Sequence, residues 1–219
     1  MIDHTHFHHL VVADKNAAFR NSLLCFDMLL PDGIGVYLAS KFLYGNAEAF
    51  THRHTGTDFY FQLLKRANKK HWKIFFLGGK QEMLDALQVQ LRKKYPNITI
   101  AGVHHGFFPF EDRSVLDEIA SSNADILFAG MGVPRQELWL HHHKNELNVP
   151  VCFAVGAGMD FVSGYQKRAP QRLQRAGFEW LYRLLHEPRR LWKRYLIGIP
   201  SFIIFVIRCK FRQKNYVRL

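Results

Sequence analysis

Acidic residues all but vanish from the last quarter of this 219-residue chain: residues 165–219 hold 14 Lys or Arg against only Glu179 and Glu187. Residues 1–164 balance 16 basic against 16 acidic side chains, so the whole formal charge of +12 sits in the tail. A neutral body with a cationic end points to a polyanionic partner: nucleic acid, anionic lipid or a phosphate-bearing substrate. Cysteine is scarce too. Cys25, Cys152 and Cys209 are odd in number and far apart, which excludes a disulfide framework or a zinc site and fits a reducing cytosol. No long apolar run occurs. The longest, Leu196 to Ile207, is about half of the roughly 20 residues a spanning helix needs, so it can lie on a bilayer more easily than cross one. The start carries no basic region followed by an apolar one, so no secretory signal is expected. Nothing in the sequence speaks to oligomeric state.

Two motifs are missing as well. The turn after Leu77 lacks G-x-G-x-x-G and no acidic residue follows at the ribose-binding distance, which argues against a nicotinamide oxidoreductase. There is no Asp-x-Asp to hold a divalent metal against a diphosphate.

With 48% hydrophobic and 22% charged residues, the chain that remains is an ordinary globular one. Three runs rich in β-branched and aromatic residues, 73–77, 125–129 and 151–155, read as buried parallel strands, each ending in glycine. Residues 81–95 and 113–122 read as helices, with a further strand over 98–103 between them. Such alternation implies an α/β fold: a doubly wound, mainly parallel Rossmann-like sheet. Ligands then bind beyond the strand ends, where Gly78 and Gly79, Gly130 and Gly132, and Gly156 and Gly158 should line one crevice suited to a diphosphate. Residues 19–29 read as a helix, Leu29-Leu30 as the opening of a strand, and Pro31-Asp32-Gly33 as an exposed turn. The expected division is an α/β domain over 1–164 and a basic amphipathic helical appendage over 165–219. Helical spacing puts Arg183, Arg190 and Arg194 on one stripe, with Trp180, Tyr182, Trp192 and Tyr195 giving the composition of an interfacial membrane element. Pro188 should divide the appendage into two helices and Pro200 should end the second.

The chain resembles the WecG/TagA/CpsF glycosyltransferases. The resemblance rests on Leu30-Pro31-Asp32-Gly33-Ile34-Gly35, Arg53 with Gly56 and Asp58, Phe76-Leu77-Gly78-Gly79, Gly130-Met131-Gly132-Val133-Pro134-Arg135-Gln136-Glu137, and the run from Arg168 to Tyr195. It implies an inverting transfer from a UDP-sugar, with N-acetylmannosamine the best guess, to a polyprenyl-diphosphate-linked N-acetylglucosamine at the cytoplasmic face of the membrane. Its uronic acid and glucose-type donors are the other options. Carried over residue by residue, Asp32 matches the catalytic base, Arg53 and Gln136 match active-site residues, and Thr5 matches a substrate-binding position. Arg183 and Arg190 align with tail arginines that reach the active site, and the next expected arginine falls on Lys193 or is supplied by Arg194. Members of the family usually begin some thirty residues earlier, with a strand and a helix that this sequence is expected to lack.

A sugar hydroxyl is a poor nucleophile, so a carboxylate must take its proton; Asp32 has the right chemistry. Without Asp-x-Asp, arginines must neutralise the departing diphosphate, and the tail supplies them, so neither metal nor cofactor is expected. The histidines at 4, 6, 8, 9, 104, 105 and 141–143 are read as surface or partly packed side chains, because neighbouring helical residues cannot easily share one ion. Asp58 and Glu137 suit helix starts. The competing reading is a nucleic-acid-binding module that uses the basic aromatic tail. It leaves Asp32, Arg53 and Gln136 without a role.

Overall fold

The computed structural model describes residues 1–53 and 55–216, with side chains to residue 212; His54, Arg218 and the Lys214 side chain of the basic tail fall outside the described residues. In chain order the elements are β1 (Ile2–Thr5), α1 (Phe7–Lys15), α2 (Ala17–Leu24), β2 (Met28–Pro31), α3 (Gly33–Glu48), α4 (Gly56–Lys70), β3 (Lys73–Gly78) and α5 (Gln81–Lys94). Next come β4 (Thr99–His104), α6 (Arg113–Ser121), β5 (Ile126–Gly130), α7 (Arg135–His142), β6 (Val151–Ala154) and α8 (Gly158–Ser163). The chain then continues through α9 (Gln171–Ala176), α10 (Glu179–His186), α11 (Pro188–Trp192), a π-helical turn (Lys193–Ile197) and α12 (Gly198–Tyr216).

The six strands form one parallel sheet in the order β2-β1-β6-β5-β3-β4. Its centre is set by strands apolar on both faces, as a sheet covered on both sides requires. Ile74 to Gly78 pair in register with Ile126 to Gly130, and Ile126 to Ala129 with Val151 to Ala154. Alternate residues feed two separate cores. Phe75, Leu77, Leu127, Ala129, Cys152 and Ala154 pack with Val115, Leu116 and Ile119 of α6 and with Trp139 and Leu140 of α7. Ile74, Phe76, Ile126, Phe128 and Phe153 pack on the other face with Tyr60 and Leu64 of α4, Leu84, Leu87 and Leu91 of α5, and Met159 of α8. Helices therefore cover both faces, and the fold is doubly wound.

Local signals explain the helices. In α5 the buried Met83, Leu84, Leu87 and Leu91 make one stripe, while Arg92, Lys93 and Lys94 close the last turn against its negative dipole end. Asp112 caps α6 by accepting from the Ser114 amide at 3.0 Å.

The chain divides into two compact units. The sheet unit comprises Met1–His4, Asn21–Leu30 and Gly56–Lys167; the tail unit comprises Thr5–Arg20, Pro31–Thr55 and the residues from Arg168 onward. In the tail unit α12 lays Phe202 and Val206 against Val11 of α1, with Phe7, Leu10, Ala39 and Leu43 around them. Each such burial contributes about 1.5–3 kcal/mol. Two cations pin the helix: Arg208 donates to Asp14 Oδ2 at 2.6 Å, and Lys210 to the Leu43 carbonyl at 2.6 Å.

Three expectations need correction. Pro31-Asp32-Gly33 is no free turn: Pro31 ends β2, Asp32 is the N-cap residue of α3, and helix follows from Gly33, broken by a kink at Gly45 before the element ends at Glu48. Pro200 does not end a helix: α11, the π-helical turn and α12 run on without a break in helical backbone, and Pro200 sits inside that run. The helix expected over 19–29 stops at Leu24, where the amides of Cys25 and Phe26 bond back to the Ser22 and Leu23 carbonyls in a tight turn.

Candidate active site

In the sheet unit the strand ends converge on the glycine loops. Gly78 and Gly130 face each other across β3 and β5. A Cβ on Gly78, whose φ is +131°, would lie 2.4 Å from the Gly130 carbonyl oxygen, so only glycine lets the two strand ends close up. Gly132 (φ +82°) and Gly156 (φ +51°) have open space where a Cβ would be. Gly158 differs: it is buried in the first turn of α8, with the Tyr60 ring 3.2 Å from where its Cβ would be. That makes it a packing glycine. The N-cap residues of α5, α7 and α8 are Lys80, Pro134 and Ala157, and none makes a side-chain cap; the Met83, Gln136 and Gly158 amides bond instead to the Lys80, Gly132 and Val155 carbonyls.

Gln136 lies on α7 and is 1% exposed. Its Oε1 accepts from the Gly132 amide at 3.1 Å and its Nε2 donates to Glu137 Oε1 at 2.7 Å. Both ends of the amide are thus engaged within the sheet unit, and one of them fixes the Gly132 loop.

The tail unit gathers the other candidates. The Asp32 amide donates to the Thr5 carbonyl at 3.0 Å, and the Asp32 side chain makes no cap bond to α3. Arg53 donates from Nη2 to the Gln174 carbonyl at 2.5 Å. Gly177 makes room for it, since a Cβ there would lie 3.0 Å from Arg53 Nη1 and 3.2 Å from Ile34. Arg168 braces the same region, with Nε 3.3 Å from Glu179 Oε1 and Nη2 3.4 Å from Thr55 Oγ1.

The arginine stripe is divided. Arg183 ends α10, the backbone leaves helical geometry at Glu187, and Arg190 pairs with the Glu187 carboxylate at 2.5 Å on the exposed side. Arg194, in the π-helical turn, is half-buried and makes no hydrogen bond or ion pair with the described residues. Burial pulls its guanidinium below the ordinary arginine range, and Arg183 and Arg190 push the same way. Tyr195 ties the group together: burial raises its hydroxyl, Arg183 and Arg194 oppose that, and the Asp32 carboxylate adds to it. Asp32 therefore stands within electrostatic reach of the same residue as both arginines. Lys193 instead lies over the exposed Trp192 ring, 5.5 Å from its centroid.

The N-terminal histidines form a feature that residue types alone did not suggest. His6 caps α1, its Nδ1 accepting from the His8 amide, while His9 Nδ1 accepts from the His6 amide, so two histidines make a capping box. Burial, followed by His9, Arg194, His8 and Arg183, holds His6 well below the usual histidine range. Burial and Arg194 bring His8 down to about 4. Both rings are neutral at pH 7 beside the arginines.

Glycine loops at the strand ends of a doubly wound sheet suit phosphate, and so do the arginines that act on Tyr195 in the tail unit. The profile of the glycosyl transferase WecG/TagA/CpsF family matches residues 4–216. The chain belongs to this family, and it is a glycosyltransferase. A Staphylococcus aureus (strain MW2) protein is 35% identical over 187 residues, covering 85% of this chain and 71% of that protein. A Bacillus subtilis (strain 168) protein is 34% identical over 205 residues, covering 93% and 77%. Both are named N-acetylglucosaminyldiphosphoundecaprenol N-acetyl-beta-D-mannosaminyltransferase. The nucleic-acid reading of the tail gives way to this one.

Proposed function

We propose that this chain transfers N-acetylmannosamine from UDP to a polyprenyl-diphosphate-linked N-acetylglucosamine, with inversion at the anomeric carbon. The observation that carries the reading is that Asp32, Arg183 and Arg194 all act on the Tyr195 hydroxyl within the tail unit, in a chain whose relatives bear that activity in their names. The acceptor hydroxyl attacks the anomeric carbon as its proton passes to Asp32, which supplies the base for a factor of about 10²–10⁴. The bond from the anomeric carbon to the UDP β-phosphate breaks on the opposite face, and UDP leaves with the electron pair. Arg194 and Arg183 stabilise the charge that develops there. A cation held partly out of water gains from charge that grows, so Arg194 grips the departing diphosphate more tightly than the diphosphate of the intact donor. In the sheet unit the loops at Gly78, Gly79, Gly130, Gly132 and Gly156 suit phosphate and Gln136 fixes the Gly132 loop, while in the tail unit Thr5 and Arg53 support the sugar site. Arg190 contributes from the surface.

The acceptor is lipid-borne, and the reading places the protein on the anionic inner leaflet. Among the described residues no helix is long and apolar enough to cross a membrane. On α12, Phe202 and Val206 point inward, whereas Ile203, Ile204, Ile207 and Phe211 are exposed beside Arg208 and Arg212. An apolar stripe edged by cations suits a helix lying in the headgroup plane. The decisive experiment offers the full chain a panel of UDP-sugars with a lipid-diphosphate N-acetylglucosamine acceptor and identifies the product by mass. A product carrying N-acetylmannosamine supports the reading; a product only with another donor reassigns the sugar, and none with any donor overturns it.

A further inference from the structure

The start of α1 is wedged among the charged parts of the tail unit. The Phe7 ring lies 5.9 Å from the Tyr195 ring, and a Cβ on Gly198 would stand 3.2 Å from it, so α1 rests on the π-helical turn that carries Arg194. On its other side a Cβ on Gly35, in the first turn of α3 after Asp32, would lie 3.6 Å from Phe7 Cβ. His6 and His8 flank Phe7 and stack with ring centroids 6.0 Å apart. Three carboxylates of the unit are taken up elsewhere: Asp14 by Arg208, Glu179 by Arg168 and Glu187 by Arg190. Around the two rings, Arg194 acts on both and Arg183 on His6, while the Asp32 carboxylate acts on the adjoining Tyr195. From α12, Arg208 and Lys210 are held by Asp14 at the far end of α1 and by the Leu43 carbonyl. A cluster with cations in excess suits an anion.

The three histidines of this turn are not equivalent. His6 Nδ1 accepts from the His8 amide at 3.1 Å and His9 Nδ1 from the His6 amide at 3.2 Å, so both rings must stay unprotonated at Nδ1 to cap α1. His8 has no such duty. It is half-buried, and its Nδ1 is buried with no hydrogen-bond partner among the described residues, so the ring can gain a proton without breaking the cap. In the empty site burial, then Arg194 and His9, hold it down to about 4. A doubly charged diphosphate at Arg194 offsets that cation and favours the imidazolium, which brings the ring back toward the ordinary histidine range.

We propose that His8 is an anion-binding residue of the tail unit, which takes a proton from solvent when a diphosphate ester settles beside Arg194 and donates it in a hydrogen bond to a phosphate oxygen. The inference rests on the transfer reading above, in which Arg194 meets a diphosphate, and adds a proton to that binding step. Both substrates of that reading carry the group, one on the nucleotide sugar and one on the prenyl acceptor. Affinity then rises as the pH falls, by up to about tenfold per pH unit for one proton taken up.

The test is calorimetric titration of the full chain, as wild type and His8→Gln, with UDP-N-acetylmannosamine and separately with a short-chain prenyl-diphosphate N-acetylglucosamine. Both diphosphates are esterified at each end and lack the ionisation near about pH 6 of a terminal phosphate, so a proton exchanged belongs to the protein. Titrations in two buffers of different ionisation enthalpy count the protons. Wild type is expected to take up a proton with at least one substrate at about pH 6, and its affinity to rise roughly 3- to 10-fold per pH unit on the way down from pH 7.5. His8→Gln keeps a polar side chain that cannot be protonated; it takes up none, and its affinity is flat and meets that of wild type at high pH. Uptake with the acceptor alone, lost in His8→Gln, supports the site and assigns it to the acceptor diphosphate. Binding of both substrates without proton uptake overturns the proposal and leaves the transfer reading standing. Uptake that persists in His8→Gln, or a loss of affinity by the same factor at every pH, also overturns it. Protein that binds neither substrate removes both readings.

Discussion

Replacing Gly78 by alanine isolates the demand that the strand ends make on the chain. At φ +131° an L-residue is strained by about 1–3 kcal/mol before any contact is counted. The added methyl would then lie 2.4 Å from the Gly130 carbonyl oxygen and 2.5 Å from its carbon. Those are backbone atoms of β5, which cannot swing aside as a side-chain tip can, and moving them costs a further ~1–3 kcal/mol. The sum is about 4 kcal/mol, which at ~2–4 °C per kcal/mol for a chain of this size lowers the melting temperature by about 8–16 °C. Gly132→Ala is the internal control. Its φ of +82° carries a similar backbone penalty, but nothing lies within 4 Å of the new methyl, so only about 1–2 kcal/mol is lost. Thermal melts of both variants followed by circular dichroism make the comparison. A Gly78→Ala protein that melts within about 2 °C of wild type, or a more damaging Gly132→Ala, would refute the account of the close approach.

Asp32→Asn is expected to fold and bind UDP normally while turnover falls by on the order of 10²-fold or more; full turnover removes Asp32 as the base. Activity is expected to survive incubation with EDTA, and a loss restored by Mg²⁺ or Mn²⁺ would sink leaving-group stabilisation by arginine alone. Deleting the chain from Gly198 onward is expected to weaken liposome binding, at about 1 kcal/mol per basic residue removed. Arg194→Ala is expected to leave that binding nearly intact and cut turnover on a soluble short-chain acceptor by roughly 10²-fold; an Arg194→Ala enzyme with full turnover places the leaving-group cation elsewhere. Below pH 6.5 the unfolded chain protonates His6 and His8, while the folded chain keeps them neutral, down to about 4 for His8. The unfolded state then binds more protons, so stability is present above pH 6.5 and is lost as the pH falls. His6→Asn retains an N-cap and is expected to flatten that dependence in thermal melts from pH 7.5 to 4.5; an unaltered slope would place its source outside His6.

The central sheet could be read because its strands are unbroken apolar runs: Ile74-Phe75-Phe76-Leu77 has no polar position that could face water. The strand β1 could not. Its inward residues are Asp3 and Thr5, polar side chains at buried positions, so the alternation that marks a strand is inverted. Helix α3 hid behind Pro31-Asp32-Gly33, whose local turn chemistry is also that of a strand end followed by an N-cap, and two more glycines, Gly35 and Gly45, weaken its helical signal. Of the candidate site, roles for Asp32, Arg53 and Arg183 came by resemblance to a family; pattern alone offered a carboxylate on a turn, a row of glycine loops and a stripe of arginines in a basic tail. The burial of Arg194 depends on a turn of non-standard pitch, and the histidine capping box on a side chain outside the usual capping set. Spacing on an ideal helix carries neither.

The π-helical turn at Lys193–Ile197 makes the length of the tail a counted quantity. Such a turn holds one residue more than an α-helical turn, so it resets the angular phase between α11 and α12 on its two sides. Arg194 faces inward on this extra step, and α12 emerges with Phe202 toward α1 and Ile203, Ile207 and Phe211 toward the outside. Side chains here can drift one at a time with local effects. Loss of a single residue within α12 ahead of Phe202 has no such slack and would instead rotate the rest of the helix by about 100°, carrying its cations and its apolar stripe round together. Sequence divergence in this segment is therefore tolerated by substitution and penalised by insertion or deletion, and a length polymorphism there would mark a protein whose last helix turns a different face outward.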